Sequence, residues 1–217
     1  MPRALPLGVL GGTFDPIHFG HLRLAEELAQ QLALSEVRFV PSGKPWHRGA
    51  LGATPVQRLE MVSRAIAGNP RFVLDEREVR KNSAGYTVET LSELRQEMGG
   101  EQSLCLLLGA DAFLGLPTWH HWRELFGLAH LAVAQRPGFS LLQEGMDGLL
   151  REEIKQRMSA DPADLQGLPA GRVMTCPITP LAISATTIRA GIGAGRSPRY
   201  LLPESVLDYI QAQNLYR

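Results

Sequence analysis

Short apolar runs alternate along the chain with stretches whose apolar residues recur every three or four positions. The runs predict strands at Leu7–Leu10, Val37–Pro41, Arg71–Asp75, Ser103–Leu108, His130–Gln135 and Arg172–Cys176. The recurring pattern predicts helices near His18–Leu34, Pro55–Ala67, Thr87–Met98 and Trp119–Leu128. In the first of these helices Leu22, Ala25, Leu28, Ala29 and Leu32 share one face, while Arg23, Glu26, Glu27, Gln30 and Gln31 take the other. Thr54-Pro55 reads as an N-cap followed by proline at the first helical position. Such alternation predicts an α/β fold, a parallel sheet with helices on both faces, over residues 1–217 as a single domain. One stretch interrupts it. Between Gly138 and Gly171 an amphipathic pattern (Leu142, Met146, Leu149, Leu150, Ile154, Met158) and a Pro/Gly-rich exit predict either an insertion or lid, or a plain surface helix pair.

Composition narrows the class. Lys plus Arg and Asp plus Glu are each 22 of 217 residues, so the net charge is zero, which argues against a non-specific nucleic-acid binder. Hydrophobic content of 44% with 20% charged residues supports an ordinary globular core. No signal-peptide pattern and no apolar segment long enough for a bilayer are found, so a cytoplasmic protein without membrane association is expected. Cys105 and Cys176 sit in apolar runs and read as free buried thiols of a reducing compartment.

In a parallel sheet, ligands bind beyond the carboxyl ends of the strands. The chemically distinctive residues fall there: Gly11–Asp15, Pro41–Arg48, Gly109–Asp111 and Arg136. The stretch Gly11-Gly12-Thr13-Phe14-Asp15-Pro16-Ile17-His18-Phe19-Gly20-His21 is a glycine turn between strand and helix, where backbone N–H groups collect anions. Two imidazoles three residues apart share the first helical turn. Zinc would need a third ligand at recognised spacing, and none arrives; His120 and His121 are expected to point apart on a helix, and His130 reads as a satisfied core residue. Near the C-terminus, Ser184 of Ile183-Ser184-Ala185-Thr186-Thr187-Ile188-Arg189 reads as an N-cap. Beside the first motif, this second helix start supplies the Ser, Thr and Arg donors that a triphosphate needs. The loop Ser42-Gly43-Lys44-Pro45-Trp46-His47-Arg48 is either an exposed basic loop or a phosphate contact. Asp111 can bind a ribose hydroxyl or cap the next helix. Tyr86, Trp119 and Trp122 read as core aromatics, with Trp119 also suited to stacking on a flat ring. Gly191, Gly193 and Gly195 follow a helix and are expected to end it.

The paired segments Gly11–His21 and Ile183–Arg189 resemble the signatures of the nucleotidylyltransferase superfamily. With Tyr86-Thr87-Val88-Glu89-Thr90-Leu91, Gly109-Ala110-Asp111, the Trp119 segment, Arg136-Pro137-Gly138 and the tail from Tyr200 to Tyr216, the chain resembles bacterial nicotinate mononucleotide adenylyltransferases over nearly its whole length. It departs where that family usually reads Pro-Pro-His-Lys and this chain has Pro45-Trp46-His47-Arg48.

The resemblance implies a Rossmann-like doubly wound sheet with a C-terminal helical segment over 183–217, and transfer of the adenylyl group of ATP to nicotinate mononucleotide, giving deamido-NAD and pyrophosphate. It implies His18 and His21 as catalytic groups on the α-phosphate. The ATP site would comprise Gly11, Gly12, Thr13, Phe14, His18, Gly20, His21, Gly109, Asp111, Ile183, Ser184, Thr187 and Arg189, with Gly20 leaving room for adenine. The mononucleotide site would comprise Asp15, Lys44, His47, Tyr86, Thr87, Trp119, His120 and Arg136. Mg2+ would ride on the substrate phosphates without protein ligands; a homodimer is left open. A pantetheine-phosphate adenylyltransferase, a CTP-using relative, a tRNA-handling relative and a catalytically silent nucleotide sensor are the alternatives. The aromatic segments, the neutral charge and the complete set of His18, His21, Ser184 and Arg189 speak against them.

Overall fold

The computed structural model describes residues 4–44, 51–81, 85–135 and 146–217. Its strands are β1 (Leu7–Gly12), β2 (Glu36–Pro41), β3 (Phe72–Leu74), β4 (Leu104–Gly109), β5 (His130–Gln135), β6 (Met158–Ser159) and β7 (Val173–Pro177). The helices are α1 (Phe19–Gln31), α2 (Pro55–Ile66), α3 (Arg77–Lys81), α4 (Thr87–Met98), α5 (Ala110–Leu114), α6 (Leu125–Leu128), α7 (Gly148–Ile154), α8 (Ala163–Gly167), α9 (Ala185–Gly193) and α10 (Glu204–Ala212). The strands form one sheet in the order β3-β2-β1-β4-β5-β7-β6, the crossover order of a doubly wound, Rossmann-like α/β fold.

Tertiary contacts group the chain into two compact units: residues 1–10, 24–37 and 86–180, and residues 11–23, 38–85 and 181–217. In the first, β1, β4, β5, β7 and β6 pair in parallel, with Leu7 opposite Leu104, Cys105 opposite His130 and Leu131 opposite Val173. Leu104–Leu108 and Leu131–Ala134 are buried throughout, as expected of strands covered on both faces. His130 is a satisfied core residue: Nε2 donates to the Leu168 carbonyl at 2.9 Å and Nδ1 accepts from the Arg172 N–H at 3.0 Å. Burial lowers its pKa, which fits this neutral tautomer. Arg95 ties loop ends together by donating to the carbonyls of Gln102, Leu128 and Pro169. Both cysteines are free and buried, their thiols pushed up to about 12 (Cys105) and about 11 (Cys176) by desolvation.

The second unit contains α2, α9 and α10. Thr54 caps α2 with a capping box, its hydroxyl accepting from Gln57 N–H. α10 packs on α2 and buries Val206, Leu207 and Ile210, with Ser205 Oγ donating to the Arg64 carbonyl and the Arg64 guanidinium 5.0 Å from the Tyr209 ring centre.

Several expected elements differ. The first helix begins at Phe19, and ends at Gln31 because Ala33 turns left-handed at φ +50°. The helix expected over Trp119–Leu128 is interrupted: His121, at φ +51°, separates a 3-10 turn at Leu116–Thr118 from a second at Trp122–Glu124, which runs directly into the short α6. Two-residue β6 is too short to show a period. Of the stretch expected as a lid or helix pair, residues 138–145 lie outside the described set; the rest holds α7, β6 and α8, with Leu150, Ile154 and Leu165 buried. Among the described residues, no helix is long and apolar enough to cross a membrane.

Candidate active site

The site begins where β1 runs out. Gly11 and Gly12 end the strand, and Phe14 takes the left-handed conformation at φ +50°, folding its ring back under the turn. A Cβ on Gly12 would lie 2.9 Å from that ring, so the glycine is needed for the fold-back. Phe14 then meets the Phe39 ring at 6.0 Å and the His21 ring edge-on at 5.1 Å.

His18 and His21 stack at 3.8 Å between ring centres with 23° between planes. The His18 backbone N–H donates to His21 Nδ1 at 3.3 Å, so neutral His21 carries its proton on Nε2. His18 is 5% exposed, and desolvation pushes its pKa down to about 4. Its Nδ1 is sealed and, among the described residues, has no hydrogen-bond partner. A buried N–H without an acceptor is the rarer and costlier state, so the proton belongs on Nε2. Gly20 explains the sealing: a Cβ there would lie 3.0 Å from His18 Nδ1 and Cε1. The expectation that Gly20 makes room for adenine thus gains a second account within the protein, since the missing side chain is where the His18 ring rests.

This burial has a consequence for stability. With a folded-state pKa near 4 against about 6.5 in an unfolded chain, the unfolded state binds more protons between those values. His18 therefore favours folding fully above about pH 6.5, and that contribution is lost as pH falls towards 4, by up to roughly 3 kcal/mol. Urea unfolding at pH 7 and pH 4 should show His18→Gln losing less stability than wild type on acidification; parallel losses would refute the burial argument.

The second signature meets the first within the same unit. Ser184 caps α9, its Oγ accepting from Thr187 N–H at 3.1 Å and lying 2.8 Å from Thr187 Oγ1. The Ile183 carbonyl is 3.7 Å from where a Gly20 Cβ would be, and Arg189 Nη1 donates to the Asp15 carbonyl at 2.7 Å. Asp15 is 2% exposed; its Oδ1 accepts from Tyr216 Oη at 2.7 Å and its Oδ2 from Gly52 N–H at 3.0 Å. The Thr13 carbonyl accepts from Arg58 Nη1 at 2.6 Å, and Arg58 Nη2 donates to the Ser42 and Gly43 carbonyls at 2.6 and 2.9 Å. Arg58, Gly52 and Tyr216 lie outside the motifs that mark this site in the sequence. Arg58 had a readable signal: it stands in the apolar stripe of α2 with Met61 and Val62, where a charged side chain needs an internal partner.

Of the other expected residues, Tyr86, Thr87, Gly109, Asp111, Trp119 and His120 lie in the first unit. Thr87 opens α4, whose N-cap, Tyr86, makes no side-chain cap bond, unlike the capped helices at Thr54, Asp147 and Ser184. Tyr86 packs on His120 with ring centres 4.4 Å apart. Trp119 is half-buried, whereas Trp122 is a core residue against Phe126. His120 and His121 do not point apart as expected, because the left-handed turn brings their rings edge-to-face at 4.0 Å. Asp111 is exposed within the first turn of α5, whose N-cap is Gly109 with no side-chain cap, so Asp111 does not cap the helix. Lys44 is exposed; His47, Trp46 and Arg136 lie outside the described residues. Among the described residues no cluster of three or more His, Cys, Asp or Glu could hold a metal ion.

A glycine turn at a strand end, stacked imidazoles at the following helix start and a second capped helix carrying an arginine come together in one unit of a Rossmann-like α/β protein. The chain belongs to the cytidylyltransferase-like family, whose model matches residues 9–191. It is 55% identical, over 98% of both chains, to a protein of Dechloromonas aromatica named as a probable nicotinate-nucleotide adenylyltransferase. A Pseudomonas aeruginosa protein of the same name is 46% identical over 97% of both chains. Among solved structures, the Plasmodium falciparum nicotinic acid mononucleotide adenylyltransferase complexed with APC has the same fold, with TM-score 0.70 at 18% identity over 98% of both chains.

Proposed function

We propose that the protein transfers the adenylyl group of ATP to nicotinate mononucleotide, releasing pyrophosphate and forming deamido-NAD. The observation that carries this reading is the His18–His21 stack on the glycine turn, with the His18 proton directed to Nε2. An oxygen of the mononucleotide 5′-phosphate attacks the α-phosphorus, and the bond from that phosphorus to the bridging oxygen of pyrophosphate breaks. The attacking phosphate is already anionic, so no general base is needed; catalysis consists of positioning and charge stabilisation. His18 and His21 donate to the α-phosphate and the bridging oxygen, where negative charge shifts. Bound phosphate raises the His18 pKa towards its ordinary value, so the imidazole neutral in the free protein gains donor strength as nucleotide arrives. Ser184, Thr187 and Arg189 hold the β- and γ-phosphates, with Ile183, Gly11, Gly12, Thr13 and Phe14 shaping the cradle.

The donor set here consists of imidazoles, guanidinium and N–H groups, which suits phosphate oxygens and not a cation, so Mg2+ would enter on the phosphates and neutralise their charge. Gly109 and Asp111 serve a ribose. For the acceptor, the α4 start at Thr87, which lacks a side-chain cap, offers backbone donors to a carboxylate, with Trp119, Tyr86 and His120 as aromatic neighbours of a flat ring. Asp15, Lys44, His47 and Arg136 complete the proposed mononucleotide set. The relatives at 55% and 46% identity support nicotinate as the acceptor base.

A pyrophosphate-release assay with ATP and Mg2+ tests this, comparing nicotinate mononucleotide, nicotinamide mononucleotide and phosphopantetheine. Nicotinate mononucleotide is expected to be used best. Preference for phosphopantetheine would overturn the function, and equal use of the two mononucleotides would overturn the base specificity.

A further inference from the structure

We propose that Tyr216 is a positioning residue for the nucleotide's outer phosphates, acting on Arg189 through Asp15. Its hydroxyl donates to Asp15 Oδ1 at 2.7 Å, while Gly52 N–H donates to Oδ2 at 3.0 Å. The carboxylate is thus clamped on both oxygens in a place 2% exposed. The same residue's carbonyl receives Arg189 Nη1 at 2.7 Å, and Oδ2 stands 3.8 Å from that nitrogen. Holding Asp15 in place therefore fixes the carbonyl that accepts from the guanidinium and the carboxylate oxygen that attracts it.

Two further features show that the clamp is built. A Cβ on Gly52 would lie 2.6 Å from Tyr216 Cδ1 and Cε1 and 3.3 Å from Arg189 Cδ, so the ring and the arginine stem both lie directly on that glycine. Tyr216 itself adopts φ +64°, a left-handed conformation uncommon for a tyrosine. Burial and the neighbouring carboxylate hold its hydroxyl protonated, so it donates throughout the physiological pH range.

The inference rests on the adenylyl-transfer reading for the role of Arg189, and the test separates the two. Calorimetry with ATP and with AMP is run on wild type, Tyr216→Phe, Arg189→Lys and the double variant. Tyr216→Phe, which keeps the ring, is expected to weaken ATP binding ~5-fold, the scale of one hydrogen bond, and to change AMP binding less than ~2-fold. In the Arg189→Lys background the same substitution should change ATP binding less than ~2-fold. Tyr216→Met, which removes the hydroxyl and the ring together, should show at least the same ATP-selective loss and serves if Tyr216→Phe does not fold. Equal weakening of ATP and AMP, an undiminished effect in the Arg189→Lys background, or unchanged ATP binding would overturn the positioning role. Failure of wild type to release pyrophosphate would instead refute the transfer reading, whatever the binding data show.

Discussion

Replacing His18 with alanine is expected to lower kcat by at least ~10²-fold, the scale seen when one preorganised transition-state donor is removed. The expectation follows from where the ring is. Its Nδ1 is sealed over Gly20 and its ring is stacked on His21, so the imidazole has little freedom left and offers its proton in one direction. Because negative charge builds on the bridging oxygen as its bond to the α-phosphorus breaks, the donor is worth more in the transition state than in bound ATP, and its loss falls on the chemical step more than on ATP binding. KM for ATP should therefore move by less than about threefold while kcat collapses. A variant turning over within threefold of wild type would sink the assignment. Equal loss in kcat/KM through KM alone would recast His18 as a binding group.

The second large effect is one of stability. Arg58→Met is expected to cost roughly 3–5 kcal/mol, the range for removing one partner from a buried charged network. For a chain of this length that corresponds to a fall in Tm of roughly 10 °C. Arg58 is 0% exposed and donates to the carbonyls of Thr13, Ser42 and Gly43, all in segments that immediately follow strands β1 and β2. Methionine preserves much of the stem but leaves those carbonyls without donors, and it removes the positive charge that faces the buried Asp15 carboxylate. Thermal unfolding followed by circular dichroism reads the effect directly; a shift below about 2 °C would show that water replaces the guanidinium at little cost.

The fold was legible in the sequence wherever burial on both faces leaves an unbroken apolar run, as at Leu104–Leu108 and His130–Gln135. It was legible also where caps bracket a helix, as Thr54-Pro55 does for α2. It was illegible where a left-handed residue breaks the pattern: nothing in Trp119–Leu128 marks His121 as the place where φ turns positive. The phosphate turn was readable because glycines, a short polar run and two histidines coincide in one strand-to-helix transition. Its supports were not. Arg58 alone showed itself, as a charge in an apolar stripe; the pairing of Asp15 with Gly52 and Tyr216 joins segments distant in sequence and depends on tertiary placement that no local period encodes. Asp111 shows the intermediate case: sequence allowed a ribose contact or a helix cap, and only the helix start at Ala110 removes the cap.

The hydrogen bond from Tyr216 to Asp15 joins residues 201 positions apart. On a ribosome adding 5–20 residues per second, the glycine turn emerges about 10–40 s before the tyrosine that clamps it has been made. The earliest part of the cradle is therefore finished by a residue made long after it. A nascent chain still short of residue 216 would carry both histidines and Arg189 but not their common brace, so full nucleotide affinity should be acquired only after translation has passed that point.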